Sequence, residues 1–284
     1  ENGKITINGK EIKKIMIDGK EFFADDPNIA MKNLPVNIID KVRAYDKQSD
    51  LARVTGIDDG EEETVLDLSV KPGMNKGWFG NADVAAGTED RYSGKVMLNR
   101  FIGENQFTVI GSMNNVNDNG YPGGGGGFRW GGQNGLTSIK MGGFNFSTQS
   151  EKLETGGSVN YNYKDADIIS KQASETFVSS ATSSFKNAQN ANRNKTTSLT
   201  ADFRIEWKPD TMTTVIFRPR LTYGKNDNRS ATNSFTFSQD PEYTTDEILS
   251  AADNLSSLIP EENIVNTIAR NSLQKGDNFN VGGS

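Results

Sequence analysis

The stretch Ser198-Leu-Thr-Ala-Asp-Phe-Arg-Ile-Glu-Trp207 alternates polar and apolar residues without an exception and ends at the turn Lys208-Pro-Asp-Thr211. Strict alternation of this kind predicts a β-strand with one apolar face and one polar face. Beyond the turn the alternation resumes from Thr213 to Tyr223, with Ile216 as an apolar exception on the polar face. The two segments therefore predict a long hairpin that carries an apolar band and a charged band.

Alternation alone does not identify the solvent that meets the apolar face. In a water-soluble sandwich that face forms a core, whereas in a membrane β-barrel it contacts lipid. We predict seven strands from residue 77 onward: Gly77–Gly87, Tyr92–Ile102, Gln106–Asn114, Leu136–Thr148, Lys152–Ile169, Lys195–Lys208 and Met212–Gly224. Their connections alternate between short turns and long segments at 115–135, 170–194 and 225–280. Outer-membrane barrels alternate short periplasmic turns with long extracellular loops, so this pattern favours a barrel.

Composition excludes a helical membrane protein but not a barrel. Hydrophobic residues make up 34% of the chain and include no run of the ~20 apolar residues that a spanning helix needs. Barrel strands place their apolar residues at every second position, so their average hydropathy is low. The same composition also fits a soluble, secreted β-sandwich, such as an adhesin, which stays an alternative.

The absence of cysteine and histidine removes several chemistries at once. It excludes disulfides, thiol nucleophiles, imidazole bases and the common zinc sites. Hydrolase triads that depend on histidine are thereby excluded. A net charge of -6 argues against nucleic-acid binding, which relies on a basic surface. We predict no enzymatic activity, no catalytic residue, cofactor or metal, and no nucleic-acid partner.

The N-terminal segment, 1–75, predicts a small mixed α/β unit. Lys4–Gly9 and Ile15–Gly19 are short strands closed by Asn-Gly and Asp-Gly, which tolerate the positive φ of hairpin turns. Asp25-Asp-Pro-Asn28 can cap a short helix from Ile29 to Asn33. A last strand, Thr64–Val70, stops at Lys71-Pro-Gly73.

Five segments of this unit, in the same order and at the same spacing, resemble the plug domain of TonB-dependent outer-membrane receptors. The segments are Lys4-Ile-Thr-Ile-Asn-Gly9, Ile15-Met-Ile-Asp-Gly-Lys20, Met31-Lys-Asn-Leu-Pro35, Ile38-Ile-Asp-Lys-Val42 and Thr64-Val-Leu-Asp-Leu-Ser-Val-Lys71. The chain is most similar to the outer-membrane β-barrel family of Bacteroidota, which is related to starch-utilisation-type transporters. The resemblance implies a plug at 1–75 and, at 76–284, the N-terminal portion of a barrel of about 22 strands, the size class with a plugged lumen. We expect the protein to continue beyond residue 284.

The resemblance also implies a location and a function. It places the chain in the outer membrane, in contact with lipid, as a receptor that binds a ligand and admits a nutrient when the plug rearranges. A TonB-type energy-coupling protein and a surface lipoprotein are the implied partners. The alternative function is a permanently plugged barrel that acts as a scaffold or as a component of a surface complex and transports nothing.

A glycine-rich segment, Tyr121-Pro-Gly-Gly-Gly-Gly-Gly-Phe-Arg-Trp-Gly-Gly132, supplies the candidate ligand contacts. A phosphate-binding loop is disfavoured because no Lys-Ser/Thr pair follows and no strand leads into a helix. A flexible extracellular loop fits better. Its aromatic residues Tyr121, Phe128 and Trp130 could stack on a sugar or a peptide, because loops carry recognition more often than scaffolds do.

Charged residues of the central hairpin supply a second candidate site. Arg204, Arg218 and Arg220 share the polar faces of the two strands with Asp202 and Glu206. A charge on the lipid face would cost about 2–4 kcal/mol at mid-bilayer, so these residues must point inward. There they would either contact the plug or simply line a wetted wall.

Two further segments have local signatures. Thr244–Ile259 begins with a Thr-x-x-Glu capping box and carries apolar residues at helical spacing, which predicts a helix inside the longest connection. Asp58-Asp-Gly-Glu-Glu-Glu63 clusters oxygen ligands around a glycine but lacks the spacing of a calcium loop, which favours a solvated turn over a cation site.

Overall fold

The structure is a computed structural model, and the residues described are 5–7, 9–22, 34, 36–117, 135–179 and 182–283. The fold is β-rich, and a large antiparallel sheet dominates it. Among the described residues, none of the helices combines the length and the apolar character needed to cross a membrane.

The described part of the N-terminal unit, up to residue 75, contains short strands and one short α-helix. Its elements are β1 (Thr6–Ile7), β2 (Lys10–Glu11), β3 (Lys14–Ile17), β4 (Lys20–Phe22), a 3₁₀ turn (Val36–Ile38), β5 (Ile39–Gln48), α1 (Asp50–Thr55) and β6 (Glu62–Val70). Strands β4, β3, β6 and β5 form a sheet in that order, in which β3 and β6 are parallel. The helix predicted at Ile29–Asn33 lies outside the described residues.

The large sheet is an antiparallel meander in which each strand pairs with its neighbour in sequence. Its strands are β7 (Lys76–Ala86), β8 (Tyr92–Ile102), β9 (Asn105–Asn114), β10 (Leu136–Gln149), β11 (Leu153–Ser179), β12 (Thr182–Trp207), β13 (Val215–Phe217), β14 (Pro219–Phe237) and β15 (Ile264–Gly283). The short segment β13 continues the register of β14, because Phe217 pairs with Ile205 and Arg220 pairs with Asp202. The interruption falls beside Pro219, which has no backbone N–H to donate to the ladder.

Two of the predicted long connections are wrong. Residues 170–194 are almost entirely strand, because β11 runs to Ser179 and β12 starts at Thr182. Likewise 225–280 is mostly strand, and only 238–263 connects β14 to β15. Both faces of these strands carry polar residues, so the sequence shows no alternation although the backbone ladder is continuous. The short turns predicted after Ile102, Gln149 and Trp207 are confirmed.

The helix predicted at Thr244–Ile259 is confirmed in its first turns only. Helix α2 (Thr245–Ser250) begins with the expected capping box between Thr244 and Glu247, and 3₁₀ turns follow at Ala252–Ser257 and Glu261–Asn263. The helical path breaks because Asn254 adopts a non-helical φ of -145° and short polar side chains bond to nearby backbone. The segment packs on the tip of the large sheet through a small core: Phe235, Phe237, Ile248, Leu255 and Ile259.

The two faces of the large sheet differ in chemistry. We call the face that contacts the N-terminal unit the inner face, and the opposite one the outer face. Buried polar side chains lie on the inner face: Asn99, Thr108, Ser112, Asn114, Thr137, Asn145, Ser147, Ser158 and Asn160. Exposed apolar side chains lie on the outer face of strands β8 to β13 and of β15: Val96, Leu98, Val109, Met113, Phe144, Tyr161, Ile205, Trp207, Val215, Phe217, Phe279 and Val281.

This outer apolar band has an upper edge. On β11 the outer positions from Leu153 to Tyr163 carry no charge, and Asp165 is the first charged residue beyond them. On β12 the uncharged outer positions run from Trp207 to Thr197, and Lys195, which pairs with Asp165, follows. We call the strand segments within the band the lower part of the sheet, and the segments beyond it the upper part.

Candidate functional site: a charged interface beneath the N-terminal unit

The N-terminal unit is attached to the inner face by one shared hydrophobic cluster. Strands β3, β4 and β6 contribute apolar residues that pack against residues of β8, β9 and β10. The buried members are Ile12, Ile15, Ile17, Phe22, Leu34, Leu66 and Leu68 from the N-terminal unit, and Met97, Phe101, Ile110 and Met141 from the sheet. Because these side chains are excluded from water by both partners, separating the two bodies would expose apolar surface on each.

A buried lysine forms hydrogen bonds and an ion pair at one edge of this contact. The Lys20 side chain is 4% exposed, and its Nζ donates to the backbone oxygen of Glu104 at 2.9 Å and to the Glu104 carboxylate at 2.7 Å. Glu104 lies in the short turn between β8 and β9. Nearby, Gln106 Nε2 donates to the backbone oxygen of Ile17 at 3.3 Å. A buried ammonium group is stable only when it is paired, so Lys20 fixes the position of β4 against this turn.

Helix α1 brings charged residues to the inner face of β12. Ser49 caps the helix by accepting from the amide of Ala52 at 3.0 Å, and Gly56 ends it in a left-handed conformation with φ of 70°. This short helix directs Arg53 toward Glu206. The Arg53 guanidinium donates to both carboxylate oxygens of Glu206, at 3.1 and 2.6 Å.

Glu206 is the centre of a cluster of cations. Its side chain is 1% exposed and also contacts Arg204 on the same strand and, at 2.8 Å, the Nζ of Lys208. Arg204 extends the network to Glu154 on β11 at 2.7 Å. A buried carboxylate held by three cations is stable only as long as those partners remain in place.

Two further carboxylates, one on α1 and one on β4, contact Arg218, which lies between β13 and β14. Arg218 Nη2 lies 2.5 Å from Asp50 Oδ2 and 3.6 Å from Glu21 Oε1. Arg204 Nη2 lies 3.5 Å from Asp50 Oδ1. Glu21 is also within 3.5 Å of Lys47 and 3.8 Å of Lys14. This part of the interface therefore consists of interleaved charges from both bodies.

The local field keeps both acids of the N-terminal unit ionised. Burial by itself would raise the pKa of Glu21, but Lys14, Lys47 and Arg218 outweigh it and the pKa is lowered. Burial likewise opposes the charge on Asp50, and Arg218, Arg204 and Arg53 outweigh it, so the pKa of Asp50 is lowered too. Both groups are therefore charged at neutral pH.

A cavity of about 350 Å³ lies next to this network, between the N-terminal unit and β10, β11, β12 and β14. Its wall includes charged residues of both bodies and the neutral polar side chains of Asn145, Ser147 and Ser158. Among the described residues, Ser158 Oγ and the Nε atoms of Arg204 and Arg218 are buried without a hydrogen-bond partner. The lining of the cavity therefore mixes polar and apolar groups and has spare hydrogen-bond donors.

The three arginines predicted from sequence have different surroundings. Arg204 and Arg218 form ion pairs with Asp50 of the N-terminal unit. Arg220 lies on the same face and lines the cavity, and its ion pair is with Asp202 on the neighbouring strand at 3.3 Å. Sequence reasoning did not identify the partners in the N-terminal unit. The only local signal was the Ser49 cap and the Gly56 stop of α1, which mark a helix but not what it contacts.

The other predicted sites supply no contact to this interface among the described residues. Tyr121, Phe128 and Trp130 lie outside the described residues. In the acidic run, Asp58 and Asp59 accept from the backbone amides of Gly60 and Glu61 and so shape a turn. Within the described part of the chain, no group of three or more acidic side chains is arranged to hold a metal ion.

Comparison with known proteins adds no assignment: no protein-family model matches the chain, and no curated protein matches it in sequence.

Proposed function

We propose that the chain is part of an outer-membrane receptor of the TonB-dependent type, in which the N-terminal unit is a plug and the large sheet is a portion of the barrel wall. In this proposal the protein binds a nutrient and admits it when the plug rearranges. Its mechanism is binding and gating, without covalent chemistry.

The observation that carries the proposal is the outer apolar band. It runs over 153–163 on β11 and over the paired segment 197–207 on β12. A transmembrane β-strand needs about 9–11 residues when it is tilted by about 45°, and both segments reach that length. A contiguous band of exposed apolar side chains on adjacent strands would be an aggregation hazard in water, whereas it is the expected surface in lipid.

The length of the strands supports the same arrangement. Strand β11 has 27 residues, about 90 Å at the usual rise, which is far more than a bilayer requires. The upper part would then project from the membrane on the side of the long connections. The short turns, including the one that receives Lys20, would face the periplasm.

The inner face has the properties of a solute path. On β12 the inner positions from Asn190 to Thr200 are all uncharged amides or hydroxyls, as are those of β14 from Asn226 to Thr232. Charges on this face concentrate at the lower end, where the N-terminal unit contacts them. Moving the plug would have to break these ion pairs, and outside energy is therefore required. The TonB-type coupling protein of the resemblance would supply it, and a surface lipoprotein would cover the outer end.

The hydrophobic part of the interface favours the alternative function. The cluster around Phe22 and Phe101 is a continuous core, and exposing it would cost several kcal/mol beyond the ion pairs. A plug held in this way could be permanent, and the protein would then serve as a scaffold or surface-complex component.

Tethering the N-terminal unit separates the two functions. The chain has no cysteine, so Lys20→Cys with Glu104→Cys can be joined by a reducible thiol cross-linker without background reaction. The matched control joins Lys10→Cys to Asp46→Cys, an ion pair within the N-terminal unit. Growth of the host on nutrients that require the full-length gene is then measured before and after reduction.

A gated receptor predicts that the Lys20 to Glu104 tether stops growth, that reduction restores it, and that the control tether has no effect. Equal growth with both tethers would contradict gating, and the scaffold function would then remain. Failure to recover the protein from the membrane fraction would contradict both functions.

A further inference from the structure

The outer face carries an ordered row of charges just above the part of the apolar band that lies on β11 and β12. Four neighbouring strands each contribute one residue, and the signs alternate along the row: Asp165, Lys195, Asp227 and Lys275. Lys195 lies 3.6 Å from Asp165, and Lys275 lies 3.8 Å from Asp227. Each cation in this row is therefore balanced by a neighbouring carboxylate.

The next row upward breaks the alternation. Here Arg193 of β12 is the direct cross-strand partner of Arg229 of β14. Like charges directly opposite each other destabilise a sheet. Arg193 donates to Asp165 at 3.0 and 2.9 Å, and Arg229 donates to Asp227 at 3.3 Å, so each carboxylate is shared with the row below. Both guanidinium groups stay more than half exposed and keep further N–H donors available.

A cavity of about 470 Å³ lies at this arginine pair. Its outer-face lining combines the two guanidinium groups and Asn271 with the apolar side chains of Ala191, Ala231 and Leu273. Asp167, the cross-strand partner of Arg193, lies at one end. The two guanidinium groups can each donate two hydrogen bonds to phosphate oxygens, and small apolar side chains lie beside them. This arrangement suits a ligand in which a phosphate adjoins an apolar portion.

The arginine row lies just above the expected layer of lipid head groups, within reach of its side chains. Tyr163 marks the last uncharged position of β11, and Asp167, in the row of the arginines, is four residues further along. Four residues span about 13 Å along a strand, or about 9 Å along the membrane normal at a tilt of about 45°. The head-group layer is about 5–8 Å thick on each side, and an arginine side chain is long enough to cover the difference.

We propose that the cavity between Arg193 and Arg229 binds the phosphate of a lipid head group. The two guanidinium groups hold the phosphate oxygens, and the alanine and leucine floor contacts the glycerol or sugar portion next to it. This site rests on the proposed membrane location, because only a chain embedded at this depth presents the arginine row to lipid.

The experiment uses the full-length gene product, purified in detergent and stripped of lipid. Phosphatidic acid and diacylglycerol are added as probes with the same acyl chains, one with a phosphate and one without, and inorganic phosphate is a third probe. Lipid adducts are counted by native mass spectrometry. The test variant is Arg193→Gln with Arg229→Gln. The control variant is Lys195→Gln with Lys275→Gln, which removes the same charge from the balanced row below.

We expect phosphatidic acid to bind the parent protein, diacylglycerol to bind at least tenfold more weakly, and the arginine variant to lose at least tenfold in affinity while the lysine control changes less than threefold. Equal losses in both variants would overturn the site, since they would report net charge only. Equal binding of diacylglycerol, or inorganic phosphate binding as tightly as the lipid, would also overturn it. A protein that inserts into membranes but fails these tests loses the lipid site alone, whereas a protein that does not insert contradicts the proposed function.

Discussion

The lower and upper parts of the β11–β12 hairpin share one continuous ladder but differ in their side chains. From Leu153–Trp207 to Phe177–Ser183 the register does not shift. In the lower part the outer face is apolar and the inner face is polar, whereas in the upper part both faces are largely polar. Backbone pairing therefore sets the geometry of the hairpin, and the polarity of the side chains reflects the environment of each face.

The contacts of the two parts differ as well. The lower part carries the buried ion pairs to the N-terminal unit, around Glu206. The upper part carries exposed ion pairs, such as Arg193 with Asp165, and a small core at the tip around Ile248. Disturbing the lower part should therefore affect the whole assembly, and disturbing the upper part should have local effects.

The largest effect should come from Glu206→Gln in the lower part. The variant leaves Arg53, Arg204 and Lys208 without their shared carboxylate, and breaking a buried pair in this way costs about 3–5 kcal/mol. We expect the N-terminal unit to become sensitive to protease in the folded protein. Proteolysis rates of the purified full-length variant measure this.

The matched control is Asp165→Asn in the upper part, which also removes a carboxylate shared by two cations. Because Arg193 is 52% exposed, the loss should be only about 0.2–1 kcal/mol. Equal protease sensitivity in the two variants would contradict the difference between the two parts.

Placing a charge on the outer face of the lower part should have the next largest effect on stability. Leu199→Arg places a cation within the apolar band, at a cost of about 2–4 kcal/mol in a bilayer. Gln189→Arg places the same cation on the outer face of the upper part of the same strand, where water solvates it. The folded fraction in lipid vesicles, read from heat-modifiable migration, should fall for Leu199→Arg only. A fall of equal size for Gln189→Arg would place the upper part in lipid too.

The sequence predicts the lower part well, and the reason is physical. Where one face meets an apolar environment and the other a polar one, alternation marks the strand, and the predicted bounds Tyr92–Ile102 coincide with those of β8. In the upper part both faces are largely polar, so alternation is absent and the sequence predicts a connection at 170–194 where the structure has strands. A ladder between two polar strands leaves no periodic signal in either strand.

The interface is predictable on one side only. Arg204 and Arg218 are identifiable because they alternate with the apolar residues of their strands, which places them on the opposite face. Their partners Asp50 and Glu21 are not identifiable from the sequence. They belong to the N-terminal unit, and several strands of the large sheet lie between that unit and β12 along the chain. Spacing along the chain cannot reveal an ion pair that forms only when two separate bodies pack.

Truncating the core at the tip should have a smaller and local effect. Ile248 is fully buried against the end of the upper part, and Ile248→Ala should cost about 2 kcal/mol, the lower end of the usual range, because the surrounding 3₁₀ turns can collapse. Hydrogen exchange should speed up in α2 and at the ends of β12 and β14. Faster exchange in the lower part as well would mean that the two parts unfold together.

Acid should weaken the attachment of the N-terminal unit, and this should be the smallest of the four predicted effects. The pKa values of Glu21 and Asp50 are lowered in the folded protein from ordinary values of 4.5 and 3.8. Their contribution to stability is therefore fully present above those ordinary values and is lost as the pH falls through the lowered ones. Hydrogen exchange of α1, corrected for its intrinsic pH dependence, should speed up below about pH 4.

The control for the acid effect is Arg218→Gln. It removes a cation that lowers both pKa values, so the loss of protection on acidification should be smaller and should be complete at a higher pH. An unchanged pH profile in this variant would exclude Glu21 and Asp50 as the cause.

The most direct test of the central claim is a scan of single cysteines along β12, from residue 185 to residue 207, in the full-length protein in lipid vesicles. A nitroxide at each position reports its access to oxygen, which concentrates in lipid, and to a water-soluble nickel reagent. Between 197 and 207 the account predicts a two-residue alternation, with oxygen access at the outer positions and nickel access at the inner ones. Between 185 and 195 it predicts no oxygen-rich positions. Nickel access at the outer positions of both parts would contradict a membrane-embedded band.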